Sequence, residues 1–156
     1  MAGDGHSRRA PLPPFRLTRT NRNVKPRGES VGRRLKIYFD GGCRPNPGPV
    51  EVAVVIRGTA HVFTGLADGT NSDAEWCALI HALELSRDHH LGEVDFVGDA
   101  LEVVRQANHA LKTGAGPQPH AARLVALARE LPPFRIRWVR RAQNLAGVAL
   151  AARHPR

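Results

Sequence analysis

No stretch of the 156-residue sequence approaches the ~18 consecutive apolar residues that a membrane-spanning helix needs, which argues against a membrane protein. Cysteine occurs only twice, as Cys43 and Cys77, in different predicted elements and without metal-type spacing. That excludes a disulfide framework and a thiolate metal site, and points to a reduced, cytoplasmic setting. The start of the chain lacks the apolar core of a secretory signal. No Asp or Glu follows Glu130, so the C-terminal segment offers no carboxylate to any site.

What is present is charge, unevenly placed. The formal net charge is +9. Residues 1–36 carry ten Lys/Arg against Asp4 and Glu29, whereas the remainder carries thirteen against twelve acids. Residues 1–33 have no hydrophobic periodicity and hold Pro11, Pro13, Pro14 and Pro26 among scattered arginines. They read as a disordered, basic N-terminal arm. Such an arm can hold nucleic-acid phosphates, direct a chain to an organelle, or simply solubilise it; the charge favours the first. Residues 34–156 are enough for one domain with its own core.

Within that body the periodicity changes in a readable order. Leu35–Asp40 and Val50–Arg57 read as strands around an Asn46-Pro47-Gly48 turn, and Gly58-Thr59 leads into a third strand, Ala60–Leu66. Asn71 or Ser72 is positioned to cap a helix to about Asp88, whose Trp76, Leu79, Ile80 and Leu83 share one face. Glu93–Gly98 is a short strand, followed by a helix to about Leu111 and a Gly/Pro loop at 112–119. His120–Leu131 is a helix stopped by Pro132-Pro133, Phe134–Val139 an alternating strand, and Asn144–Arg153 a last, Ala-rich helix. The order β-β-β-α-β-α-α-β-α describes an α/β fold, a mixed sheet flanked by helices. Trp76 and Trp138 are expected in the core.

Three acids fall where such a fold can converge them. Asp40 ends the first strand ahead of two glycines, Glu75 lies in the first helix near its start, and Asp99 follows the fourth strand. Carboxylates brought together repel unless protonated or bridged by a cation. Oxygen ligands select Mg²⁺ or Mn²⁺, ions suited to phosphodiester hydrolysis. Ordinary roles also exist: Glu75 can complement its helix dipole and Asp99 can cap the next helix. Asp40 is harder to explain away, because an acid inside an apolar strand is costly without a partner.

Four ordered blocks go further. Asp40-Gly41-Gly42 with Asn46-Pro47-Gly48, Thr70-Asn71-Ser72-Asp73-Ala74-Glu75, Val97-Gly98-Asp99-Ala100, and Trp138 through Asn144 with Leu150-Ala151 resemble type 1 ribonuclease H over roughly residues 35–153. The resemblance implies a ribonuclease H-like fold, a five-stranded mixed sheet with strands one to three antiparallel. It also implies a monomeric, Mg²⁺-dependent endonuclease that cuts the RNA strand of RNA–DNA hybrids by a two-metal-ion mechanism. Asp40, Glu75 and Asp99 then match metal ligands. Cys43, Asn46 and Asn71 match positions that contact the RNA backbone and its 2′-hydroxyls, the group that distinguishes RNA from DNA. Arg141 matches a catalytic-site arginine before the last helix.

One block departs from the pattern. The family completes its site with a fourth carboxylate in the last helix, where this chain reads Asn144-Leu145-Ala146-Gly147-Val148-Ala149-Leu150-Ala151. Ungapped, Val148 takes the acid's place, and a shift to Gly147 or Ala149 restores none. Reduced activity is one consequence. The other is a catalytically weak or inactive module that binds hybrid or structured nucleic acid. The loop at 112–119 has one lysine and offers no basic protrusion, a contact the N-terminal arm is placed to supply.

Overall fold

The structure, a computed structural model, describes residues 34–154. The basic arm at 1–33 lies outside the described residues. β1 (Leu35–Cys43), β2 (Gly48–Ile56) and β3 (Thr59–Phe63) form an antiparallel meander, and a two-residue β4 (Asp68–Gly69) pairs with the start of β2. α1 (Asn71–Asp88) leads to β5 (Val94–Gly98), which lies parallel to β1. α2 (Leu101–Thr113) and α3 (His120–Ala128) follow, then β6 (Arg135–Trp138), parallel to β5, and the closing α4 (Leu145–Ala152). The sheet order β3-β2-β1-β5-β6 puts β1 at the centre. This is a ribonuclease H-like fold, with β4 as the one strand the sequence did not announce.

Strand pleat decides which helix each β1 residue meets. Ile37 and Phe39 are fully buried in the main core, on the side that receives α1. Tyr38 and Asp40 point to the other side, opposite Val55 and Ala53, where α4 packs Ala146 and Leu150. At Gly41 the chain and α1 come so close that a Cβ would overlap the Ala74 carbonyl oxygen. Only glycine allows that approach, and it brings the start of α1 over the end of β1.

Several elements differ from the sequence reading for local reasons. α1 is capped by Thr70, not Asn71 or Ser72. Thr70 Oγ1 accepts from the Asp73 backbone N–H at 3.1 Å, and Asp73 accepts from the Thr70 N–H at 3.0 Å. That reciprocal box leaves Asn71 free for other contacts. α3 stops at Ala128, a turn before the prolines. Trp76 is buried, its indole N–H donating to Gln106 Oε1 at 3.0 Å, as expected of a core residue. Trp138 is not in the core: alternation puts it on the same face as the buried Ile136, but it is the last residue of β6 and is 45% exposed. Among the described residues no helix is long and apolar enough to cross a membrane.

Candidate active site

Asp40, Glu75 and Asp99 converge at the end of the sheet where β1 and β5 finish. One carboxylate oxygen from each lies within 4.8 Å of the others. They arrive by three routes: Asp40 from a strand, Glu75 over Gly41 from the second turn of α1, and Asp99 from the residue after β5. The ordinary roles do not account for them. α2 has no side-chain cap, so Asp99 does not serve as one, and Asp73 rather than Glu75 sits in the first turn of α1.

The electrostatics of the cluster are unfavourable as it stands. Burial, with Asp99 nearby, raises the Asp40 carboxyl to about 6, against the lowering effects of its hydrogen bond to Glu75 and of Arg141. Burial and the Asp40 charge raise Glu75 further still. The buried Glu75 Oε2 has no hydrogen-bond partner among the described residues. A buried carboxylate oxygen without a donor costs free energy, and a hard divalent cation shared by the three carboxylates removes that cost. The donor set therefore fits a hard divalent cation.

Asp99 is held by two residues. Asn144, fully buried, donates from Nδ2 to Asp99 Oδ1 at 2.9 Å and to the Phe39 carbonyl at 3.0 Å, while its own Oδ1 accepts from the Ala146 N–H. One side chain thus caps α4, ties it to β1 and orients an acid. The Trp138 indole N–H donates to the Asp99 carbonyl at 3.1 Å.

The sequence-selected substrate residues also come together. Asn71 Oδ1 accepts from the Cys43 N–H at 3.2 Å and lies 3.3 Å from Cys43 Sγ, and Asn46 Oδ1 accepts from the Asn71 N–H at 3.2 Å. With both amide oxygens turned inward, the two Nδ2 groups are turned away from this network. A cavity of about 470 Å³ opens beside it, lined by Asp40, Glu75, Cys43, Arg44, Asn71 and Arg141 among others. Arg141 sits in a 3₁₀ turn, exposed.

The α4 wall of this cavity is different. Val148 is 59% exposed, and the residue aimed at Asp40 is Gly147, where a Cβ would lie 3.4 Å from Asp40 Oδ2. The helix brings no acid to the cluster. On the same cavity, Glu51 of β2 accepts from His154 at 2.7 Å and pairs with Arg153 at 3.5 Å, which together lower its pKa and fasten the end of α4 to the sheet. Nothing in the sequence spacing links positions 51 and 154; only the packing of α4 on β2 does.

Fold and acid cluster together define a ribonuclease H-like protein. The model of the reverse transcriptase-like family matches residues 38–154. The chain is 36% identical over 129 residues to a ribonuclease HI of Halobacterium salinarum, a match covering 77% of this chain and 63% of that protein. The crystal structure of RNase H1 from that halophilic archaeon superposes with a TM-score of 0.64 at 29% identity, over 76% of this chain and 94% of the other. LC11-RNase H1 in complex with an RNA/DNA hybrid gives 0.61 at 27% identity, over 75% and 93%. The chain belongs to the reverse transcriptase-like family, and the relatives it resembles are type 1 ribonucleases H, of whose curated members it spans less than two thirds of the length.

Proposed function

We propose that the chain is a metal-dependent endonuclease that cuts the RNA strand of RNA–DNA hybrids. The observation that carries this is the convergence of Asp40, Glu75 and Asp99 within 4.8 Å, with a buried Glu75 oxygen left without a donor. These three acids would hold Mg²⁺ or Mn²⁺, which in a two-metal arrangement would supply Lewis-acid activation of a water and stabilisation of a leaving 3′-oxygen. Asp40 is central to the set, hydrogen-bonded to Glu75 and within the influence of both Asp99 and Arg141.

The remaining residues position the strand. Asn46 and Asn71, their Nδ2 groups turned away from the Cys43 network, are donors suited to RNA 2′-hydroxyls and backbone oxygens. Cys43 fixes the loop that carries Asn46, its thiol 3.6 Å from Asn46 Oδ1. Arg141 supplies a cation next to Asp40, where a scissile phosphate would sit. The reading places a monomeric hydrolase in the cytoplasm, with residues 34–156 as the catalytic domain. The basic arm at 1–33 adds phosphate contacts, so its deletion weakens hybrid binding and flattens the salt dependence.

A second reading is a weak or inactive module that binds hybrid. It is favoured by α4, which offers Gly147 to Asp40 and leaves Val148 in solvent. A labelled hybrid incubated with Mg²⁺ or Mn²⁺, beside an Asp40→Asn control, separates the two. Cutting of the RNA strand with 5′-phosphate and 3′-hydroxyl ends, lost in the control, supports the enzyme. Binding without cutting in both ions, at high protein concentration, supports the module.

A further inference from the structure

We propose that Trp138 is a stacking platform for one nucleotide of the bound strand, forming a subsite continuous with the acid cluster. This deepens the nuclease reading and rests on it for the identity of the ligand. Five large apolar side chains are exposed among the described residues: Val62, Leu101, Trp138, Leu145 and Val148. Trp138 is tied to Asp99 directly, its indole N–H bonded to the Asp99 carbonyl, Leu101 lies two residues after Asp99, and Leu145 and Val148 lie on the helix whose capping Asn144 holds Asp99. Leu145 adjoins Asn144, whose amide is bonded to Asp99 Oδ1, and the Val148 N–H donates to the Asn144 carbonyl at 3.2 Å. Single exposed apolar residues are ordinary, but a group of them on the rim of a polar site marks a contact surface.

The geometry at Trp138 suits stacking. Its one polar atom is satisfied by Asp99, which fixes the ring, while nearly half of its surface remains in water. An indole held by its edge offers a pre-oriented face, which packs on the sugar of a base-paired strand or stacks on a nucleotide splayed out of it. Arg140 and Arg141 follow it by two and three residues, both exposed, and make no ion pair among the described residues. An apolar ring beside unpaired arginines fits a polyanion with π-faces. A second copy of this chain would bring the same arginines to the interface and be repelled.

The chain has two tryptophans, and Trp76 is 1% exposed, so quenching by acrylamide reads Trp138. The full chain carrying Asp40→Asn is titrated with a short RNA–DNA hybrid of mixed sequence, with binding followed independently by anisotropy. The expected result is a fall in emission on binding and loss of acrylamide access, both absent in a Trp138→Phe background. Trp138→Leu is expected to raise the hybrid Kd by about 5- to 150-fold, and Trp138→Phe, which keeps a stacking ring, to return it close to wild type. Saturation with hybrid and no change at Trp138 overturns the subsite, as does a Leu variant that binds like wild type. Shielding that grows with protein concentration in the absence of nucleic acid also overturns it, in favour of a second copy. Should the Leu variant fail to fold, the quenching of Trp138 in the Asp40→Asn chain decides alone. Cutting by the wild-type chain with Trp138 untouched sinks the subsite and leaves the nuclease; quenching without cutting does the reverse.

Discussion

The cavity has two walls built on different principles. The β1–α1 wall is polar and dense: Gly41 lets the helix start lie over the strand end, Asp40 is bonded to Glu75, and Cys43, Asn46 and Asn71 form a second hydrogen-bonded group. The α4 wall is an apolar helix packed through Ala146 and Leu150 onto Ala53 and Val55, with Asn144 as its buried polar contact to β1 and Asp99. The first wall supplies chemistry and the second supplies position. A site can therefore hold its acids on one side while the other side offers only a glycine.

Four substitutions or conditions test that division, in falling order of effect. Asp40→Asn removes the acid common to the cluster, and RNA-strand cutting is expected to fall by roughly 10²–10⁴-fold. The same variant is expected to stabilise the metal-free fold at neutral pH by about 1–3 kcal/mol, because it relieves a buried, raised acid. Thermal unfolding in EDTA measures that gain, and a stability loss instead would mean that the cluster is not strained.

Asn144→Ala strikes the α4 wall. It strips the helix cap and leaves the Phe39 carbonyl and Asp99 without their donor, at an expected cost of about 2–4 kcal/mol in denaturant unfolding. Activity should fall as well, since Asp99 loses its orientation. An unfolding midpoint within error of wild type would show that α4 is held by its apolar contacts alone.

The pH dependence follows from the raised acids. The Asp40 carboxyl, at about 6 when folded, keeps its proton where the unfolded chain has lost it near the ordinary value of 3.8. The folded state binds more protons in that window, so metal-free stability falls as pH rises from about 4 to 6, by about 1–3 kcal/mol, and Glu75 extends the loss to higher pH. Saturating Mg²⁺ should flatten the slope. A metal-free stability that rises over the same window contradicts the burial argument.

The smallest effect concerns the missing acid. Gly147→Asp places a side chain facing Asp40, and it is expected to lower the Mg²⁺ concentration needed for half-maximal cutting by about tenfold. Val148→Asp, on an exposed position, should change it little. The reverse ranking would mean that α4 turns when substrate binds.

Much of this was legible from the chain. The order of elements and the three acids were readable from periodicity and from where carboxylates fall at element ends, whereas the sheet arrangement and the choice of Cys43, Asn46 and Asn71 came from the resemblance to type 1 ribonuclease H. What was not legible depended on packing across long separations. Asp99 is held by Asn144, 45 residues away, and Glu51 meets His154 only because α4 folds back on β2. The exposure of Trp138 reflects where β6 ends relative to its cover, and alternation alone places that residue inward. The α4 residue that faces Asp40 is set by the helix's rotation on the sheet, which a one-dimensional alignment to Val148 does not contain.

The most direct test of the central claim, that Asp40, Glu75 and Asp99 form a cation site kept partly protonated when empty, is calorimetric titration of Mn²⁺ near neutral pH in two buffers of different ionisation enthalpy. The account predicts binding that releases protons, visible as buffer-dependent heat, and its loss in Asp40→Asn. Binding with the same heat in both buffers, or undiminished in the variant, would contradict it.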